Sequence, residues 1–179
     1  MENLQSVNIE LKKYLEQLSS QLIVDLVDLI NGKNIIYLNN KKEVDTKALY
    51  FEYQYDYLDI IFWTVDQFGE RITETIKLPL KKADKTNDWN ALIPKQIWEA
   101  AADFEDNYDD DDLDDILDEY NTQKCELFEN WFFECWKKAS EKIIVRTDSY
   151  FSTHDTYFKT DLNSMQAINT DEISERYKK

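Results

Sequence analysis

The residues best placed to do chemistry are eleven carboxylates within the seventeen residues 103–119, a stretch without Lys or Arg. They supply most of a formal net charge of -16. Like charges packed this closely repel one another unless water or a cation lies nearby. The stretch therefore predicts either a solvated helix entrance or a docking surface for a basic protein. In the second interpretation, the residues that pair with the partner's Lys and Arg are Asp109, Asp110, Asp111, Asp112, Asp114, Asp115 and Asp118.

A poly-aspartate run also raises the question of calcium, because hard cations prefer oxygen ligands. An EF-hand loop needs a central Gly, and the acidic stretch contains none. Zinc sites and phosphate-cradling loops are disfavoured too, since the chain has two Cys, one His and two Gly. We predict no specific metal site and no cofactor, and leave weak divalent-cation binding open.

A histidine beside a carboxylate can act as a general base, and a thiol can be its nucleophile. His154 is followed by Asp155, and Cys135 is the candidate thiol. If both His154 and Asp155 lie in a strand, their side chains point to opposite faces, which disfavours the pair. We predict no catalytic residue. An enzyme of unknown type that uses a pocket containing His154 stays open as an alternative.

An aromatic cluster follows the acids and includes Trp131, Phe132, Phe133 and Trp136. It is too wide for one narrow helix seam. Core packing explains most such clusters. A ring exposed beside acids would instead anchor a protein interface, and Trp131 is our candidate for that role.

Two long helices are predicted to position these residues. Apolar side chains recur every three or four positions from Leu4 to Ile30, with a possible bend at Ser19-Ser20 and a stop at Gly32. A short helix face follows Pro94, and a second long stripe runs from Leu113 to Trp136.

Between and after the helices, alternating patterns predict strands. The first four are Asn34–Leu38, Ala48–Tyr55, Tyr57–Val65 and Arg71–Leu78, which we interpret as three or four strands of an antiparallel meander that Pro79 ends. Two more are predicted at Lys142–Arg146 and Tyr150–Lys159, and a short helix at Asp171–Tyr177. Residues 1–179 thus form one α+β domain with a polar C-terminal tail at 163–179. Its sheet is mostly antiparallel, has about five strands, and packs against long helices from both halves of the chain.

Bulk composition limits the partners. A strongly acidic chain does not neutralise phosphate, so direct nucleic-acid and anionic-membrane binding are disfavoured. The N-terminus lacks the charge and apolar order of a signal peptide, and no apolar run spans a bilayer. Cys125 and Cys135 fall on one predicted helix, about 15 Å apart, too far for a disulfide. We expect a cytoplasmic protein with reduced thiols.

Three short segments carry a resemblance to a known group. They are WFFECWKKA at 131–139, YFSTHD at 150–155 and Asp161-Leu162. This part of the chain resembles small bacterial proteins associated with toxin immunity. The resemblance implies an α+β cytoplasmic protein that binds and neutralises a toxin, often a basic nuclease, and it implies no catalytic residues.

The leading functional prediction is therefore an acidic protein-binding module, an immunity or inhibitor protein that occludes a basic toxin or nuclease. Charge would steer the partner, and aromatic contacts would hold it. One alternative is a nucleic-acid mimic that occupies the cleft of a DNA-binding protein. The oligomeric state and the partner's identity are not encoded in any pattern found here.

Overall fold

The computed structural model describes residues 4–55, 59–80, 93–107 and 113–177, and shows a sheet packed against helices. The helices are α1 (Leu4–Ile30), α2 (Lys95–Asn107), α3 (Leu113–Ser140) and α4 (Thr170–Tyr177). The strands are β1 (Ala48–Tyr53), β2 (Ile60–Val65), β3 (Ile76–Leu78), β4 (Asp148–Thr153), β5 (Phe158–Asp161) and β6 (Gln166–Asn169). The predicted α+β class is confirmed.

Helix α1 is continuous through the serine pair at which a bend was considered. Ser19 fits because its Oγ donates to the Leu15 carbonyl at 3.1 Å, one turn back. After the helix, Gly32 adopts a φ of 71°, and the Lys33 amide donates to the Asp28 carbonyl at 2.9 Å. This geometry closes the last turn, so the predicted stop at Gly32 is confirmed.

The two long helices run side by side in the same direction. Asn8 Nδ2 donates to the Tyr120 carbonyl at 3.2 Å, and Trp131 Nε1 donates to Ser19 Oγ at 2.9 Å. Both pairs are separated by 112 residues, so α1 and α3 advance together and are parallel. Both helices therefore begin at one end of the molecule and end at the other.

The sheet has six strands in the described residues, in the order β3-β2-β1-β4-β5-β6. Neighbouring strands are antiparallel except for β1 and β4, which pair in parallel with Ala48 opposite Asp148 and Tyr53 opposite Thr153. The prediction of about five mostly antiparallel strands thus misses one strand and the parallel pair at the centre. The parallel pair joins segments far apart in the chain, and α1 and α3 cover its inner face.

The inner face of the sheet holds the main core. Phe132 of α3 stacks on Phe151 with ring centroids 4.0 Å apart, and Phe51 contacts both Phe62 and Phe132. Trp136 donates its indole N–H to the Leu162 carbonyl at 3.1 Å. The aromatic residues of α3 therefore build the helix–sheet interface, as large rings commonly do.

Four of the predicted strands are different in the structure. Residues 34–38 form no strand and contribute one isolated bridge to Thr73, and of residues 71–78 only Ile76–Leu78 is a strand. Residues 142–146 follow α3 as an irregular segment without a strand partner in the described part of the chain. Residues 150–159 are a hairpin in which β4 ends before His154, and Asp155 takes a φ of 57° in the turn. Asp tolerates this left-handed conformation, so the alternation that predicted one strand spans two.

The C-terminal tail at 163–179 contains regular structure. Strand β6 pairs with β5, and α4 follows it directly, so the predicted helix at 171–177 is confirmed. Ile168 and Ile173 are buried in a second, smaller core on the outer face of the sheet. None of the helices within the described ranges has the length and apolarity needed to cross a membrane.

Candidate functional site

Seven described carboxylates of the acidic stretch lie at the end of α2 and the start of α3, and all are exposed. We call them the acidic surface: Asp103, Glu105, Asp106, Asp114, Asp115, Asp118 and Glu119. It includes three of the predicted docking residues. The other four, Asp109, Asp110, Asp111 and Asp112, lie outside the described residues, so their role stays a prediction.

The helix dipole stabilises the carboxylates at the start of α3 and destabilises those at the end of α2. Asp114 and Asp115 occupy the first turn of α3, where the helix dipole stabilises carboxylates by about 0.3–1 kcal/mol each. Glu105 and Asp106 occupy the last turn of α2, where the same dipole repels them and no basic residue is present. Helix stability therefore explains Asp114 and Asp115 at the start of α3, and it does not explain Glu105 and Asp106 at the end of α2.

Apolar surface lies next to the acids on the same end of the helix pair. Ile116, between the acids of α3, is partly exposed, and Ile9 of α1 is 60% exposed. Ile9 and Leu127 line a shallow groove of about 360 Å³ between α1 and α3. Because the helices are parallel, this groove begins about one and a half turns beyond Asp118, close enough for one protein partner to cover both.

Trp131 does not serve as the exposed anchor that we predicted. Only 8% of its surface is exposed, and its indole N–H donates to Ser19 Oγ between the two long helices. Its ring also packs on Phe128, with centroids 5.4 Å apart. The correction follows from α1, which covers this side of α3. The exposed apolar residues near the acids are aliphatic instead.

His154 belongs to a polar network on the outer face of the sheet. Its Nδ1 lies 3.0 Å from Glu52 Oε2, and Lys159 Nζ donates to Glu52 Oε1 at 3.1 Å and to Ser152 Oγ at 3.0 Å. Asp155 Oδ2 lies 3.3 Å from His154 Nε2, because the two residues share a turn. The expected separation of this pair on opposite strand faces is therefore wrong.

The network does not bring His154 and the candidate thiol Cys135 together. Lys159 Nζ donates a hydrogen bond to Ser152 Oγ. Cys135 packs in the core on the inner face, so the sheet separates it from His154. Burial raises the pKa of Cys135 to about 11, which disfavours its reactive thiolate. Sequence patterns missed Glu52 and Lys159 as partners, although both fall at outward positions of their strands.

A cavity of about 710 Å³ lies beside this network, with Tyr50, Trp63 and Tyr177 in its lining. Tyr50 and Trp63 stack with centroids 5.6 Å apart, and the Arg71 guanidinium lies 5.5 Å from the Trp63 ring. Tyr150 contacts Tyr50 at 5.1 Å. The rings in the lining of this cavity thus contact one another and the Arg71 guanidinium.

His154 provides a pH-dependent test of the network. The hydrogen bond with Glu52 and the charge of Asp155 raise the pKa of His154, while burial and Lys159 act against that shift. A histidine that binds its proton more tightly when folded stabilises the fold below its ordinary pKa. That stabilisation is lost as pH rises through the folded-state pKa. We expect the melting-temperature advantage of the wild type over His154→Asn to shrink as pH rises across this range.

The imidazole can be followed directly by proton NMR, because the chain contains one His. A titration midpoint at or below the ordinary histidine value would contradict the Glu52 contact. Glu52→Gln serves as the companion variant, since it removes the charge but keeps a side chain of similar size. It should return the midpoint toward the ordinary value.

Comparison with known proteins assigns no group to this chain, since no family model, curated protein or solved structure matches it. The resemblance of residues 131–162 to immunity proteins therefore stays a hypothesis. Among the described residues, no group of three His, Cys, Asp or Glu side chains is arranged to hold a metal ion.

Proposed function

We propose that this protein is an acidic binding module that occludes a basic protein, as an immunity or inhibitor protein occludes a toxin or nuclease. The observation that carries the proposal is the pair Glu105 and Asp106 in the last turn of α2, where the helix end repels them. Because their position costs helix stability, a cationic partner is the simplest reason for these charges. The exposed acids at the start of α3 extend the same surface.

Charge and apolar contact have different tasks in this proposal. Exposed ion pairs contribute only about 0–1 kcal/mol each, so they do not hold a partner by themselves. They raise the rate of encounter with a basic protein, and salt screens that effect. Ile9, Ile116 and the groove beside Leu127 supply the apolar area that a lasting contact needs. Mechanistically, the partner is steered by the acids and covered by the ends of α1 and α3.

The proposal predicts a salt-dependent loss of binding when the start of α3 is neutralised. Lysate of the source cell is passed over the immobilised wild type and over a triple variant with Asn at 114, 115 and 118. We expect the wild type to retain a basic protein at low salt. Association of that protein with the triple variant should be slower by on the order of 10-fold in stopped-flow measurements at low ionic strength.

A matched control separates local charge from net charge. Glu134, Glu141 and Glu175 are exposed and lie outside the acidic surface, so changing all three to Gln removes the same charge elsewhere. This control should bind nearly as fast as the wild type. Equal rates for the two triple variants, or a wild-type rate that does not depend on salt, would refute steering by the acidic surface. Circular dichroism should check that α3 is retained in the Asn variant.

A further inference from the structure

A cavity of about 480 Å³ lies where the connections that follow α1 and α3 meet. Leu29, Ile35 and Leu49 contribute to its apolar lining, and Glu43 and Arg146 contribute charged groups. Since α1 and α3 are parallel, the cavity lies at their C-terminal ends. The acidic surface lies at the other end of α3, so the two sites are distinct.

Glu43 occupies an unusual place beside the end of α1. A Cβ atom on Gly32 would lie 3.0 Å from Cδ of Glu43 and 3.1 Å from its Oε1, so the carboxylate packs directly against the glycine. The last turn of α1 contains no basic residue. Helix carbonyls carry partial negative charge at this end, so they disfavour a second negative group unless a cation joins it.

Arg146 presents the opposite charge to the same cavity. Arg146 and Glu43 are both exposed at the mouth of the cavity, and neither side chain takes part in a hydrogen bond or ion pair within the ranges that the structure describes. A guanidinium is shaped to bind a carboxylate through two parallel hydrogen bonds. A ligand that pairs with both Glu43 and Arg146 therefore carries one ammonium group and one carboxylate group.

We infer that this cavity binds a small zwitterion with an aliphatic body, which is the chemistry of a free amino acid or a short peptide. The ammonium group lies toward Glu43, and the carboxylate accepts hydrogen bonds from Arg146. The aliphatic body contacts Leu29, Ile35 and Leu49. The cavity volume falls within the range of about 300–1,000 Å³ that is usual for small-molecule sites. A ligand with only one charge pairs with either Glu43 or Arg146 and leaves the other without a partner.

The test is an NMR titration of the ¹⁵N-labelled full chain with L-leucine and, separately, with leucyl-leucine. The pair of probes distinguishes a free amino acid from a peptide, since they differ in the spacing of the two charges. We expect at least one of them to shift the amide signals of Gly32, Thr46 and Thr147, with a dissociation constant on the order of 0.1–1 mM. Isoamylamine and 4-methylvalerate, which each carry one of the two charges, should bind about 2- to 5-fold more weakly.

Substitutions of Glu43 and Arg146 test which residue binds the ammonium group of the probe and which binds its carboxylate. Glu43→Gln and Arg146→Gln should each weaken the better probe by about 2- to 5-fold, the effect of losing one exposed ion pair. Glu141→Gln and Lys142→Gln change exposed charges at the same end of the molecule and should leave binding unchanged. Glu43→Gln should melt no lower than the wild type, because it removes a carboxylate from an unfavourable position.

Three results would overturn the inference. One is the absence of amide shifts with both zwitterions at millimolar concentration. Another is equal binding of isoamylamine and L-leucine together with no effect of Arg146→Gln. The third is a lower melting temperature for Glu43→Gln, which would mean that the carboxylate stabilises the fold. Failure here leaves the proposed inhibitor function standing, and the Asn variant of α3 should bind the zwitterion normally.

Discussion

Replacing Phe132 by Ala should lower the free energy of unfolding by about 3–5 kcal/mol, the largest single effect that we expect. Phe132 is fully buried between α3 and the sheet, with its ring stacked 4.0 Å from Phe151 and 5.5 Å from Phe51. Removing the ring forfeits its burial and leaves a cavity that these neighbours cannot fill, because they sit on a fixed sheet. Urea denaturation with a common m-value for wild type and variant measures the difference.

Phe158→Ala is the control for this substitution, since Phe158 is a strand residue whose side chain is 61% exposed. It should change the free energy of unfolding by less than about 0.5 kcal/mol. A loss of under about 1 kcal/mol in Phe132→Ala would mean that α3 does not pack on the sheet as described. Phe132→Leu should fall between the two because it fills part of the space.

Removing the carboxylate of Glu52 should cost about 3 kcal/mol, the second largest effect. The Glu52 and Lys159 side chains are only 11% and 10% exposed, and they pair at 3.1 Å. In Glu52→Ala, the Lys159 ammonium stays largely buried without a carboxylate, and keeps only its contacts with Ser152 Oγ and the Tyr50 ring. An unpaired buried charge is more costly than the loss of an ordinary surface pair.

Two comparisons make this test specific. Replacing both residues, Glu52 by Leu and Lys159 by Met, should recover most of the lost stability, because no buried charge is left unpaired. Glu99→Gln breaks the pair that Lys95 and Glu99 form on the surface of α2, where the side chains are 79% and 46% exposed. That change should cost less than about 0.5 kcal/mol. If Glu52→Ala were equally mild, the outer-face network would be solvated and its structural role disproved.

Local periodic patterns in the sequence anticipated individual helices and strands. Alternation predicted the strands that became β1 and β2, and apolar spacing predicted α1 and most of α3. The central pairing of β1 with β4 was not predictable in this way. No local pattern specifies which distant strand lies next to β1, and the parallel direction follows only once α3 returns the chain across the sheet.

The candidate sites show the same division. Charge density marked the acidic surface in the sequence, and exposure of Asp114, Asp115 and Asp118 agrees with a charged surface there. The burial of Trp131 under α1 was not predictable from the sequence. An aromatic stripe has the same residue spacing whether it faces the core or the solvent. The cavity beside Glu43 and Arg146 joins two loops about one hundred positions apart, and neither loop has a motif.

The parallel strand pair also constrains how the chain can be made. Ala48 of β1 pairs with Asp148 of β4, so β1 is synthesised well before its parallel partner. At usual rates of synthesis, a ribosome needs about 5–20 s to add the residues between them. Throughout that interval the nascent β1 has a neighbour on one side only, so its other side can join the wrong strand. Correct folding in the cell thus depends on keeping the unpaired edge of β1 from pairing with other nascent copies of the same chain.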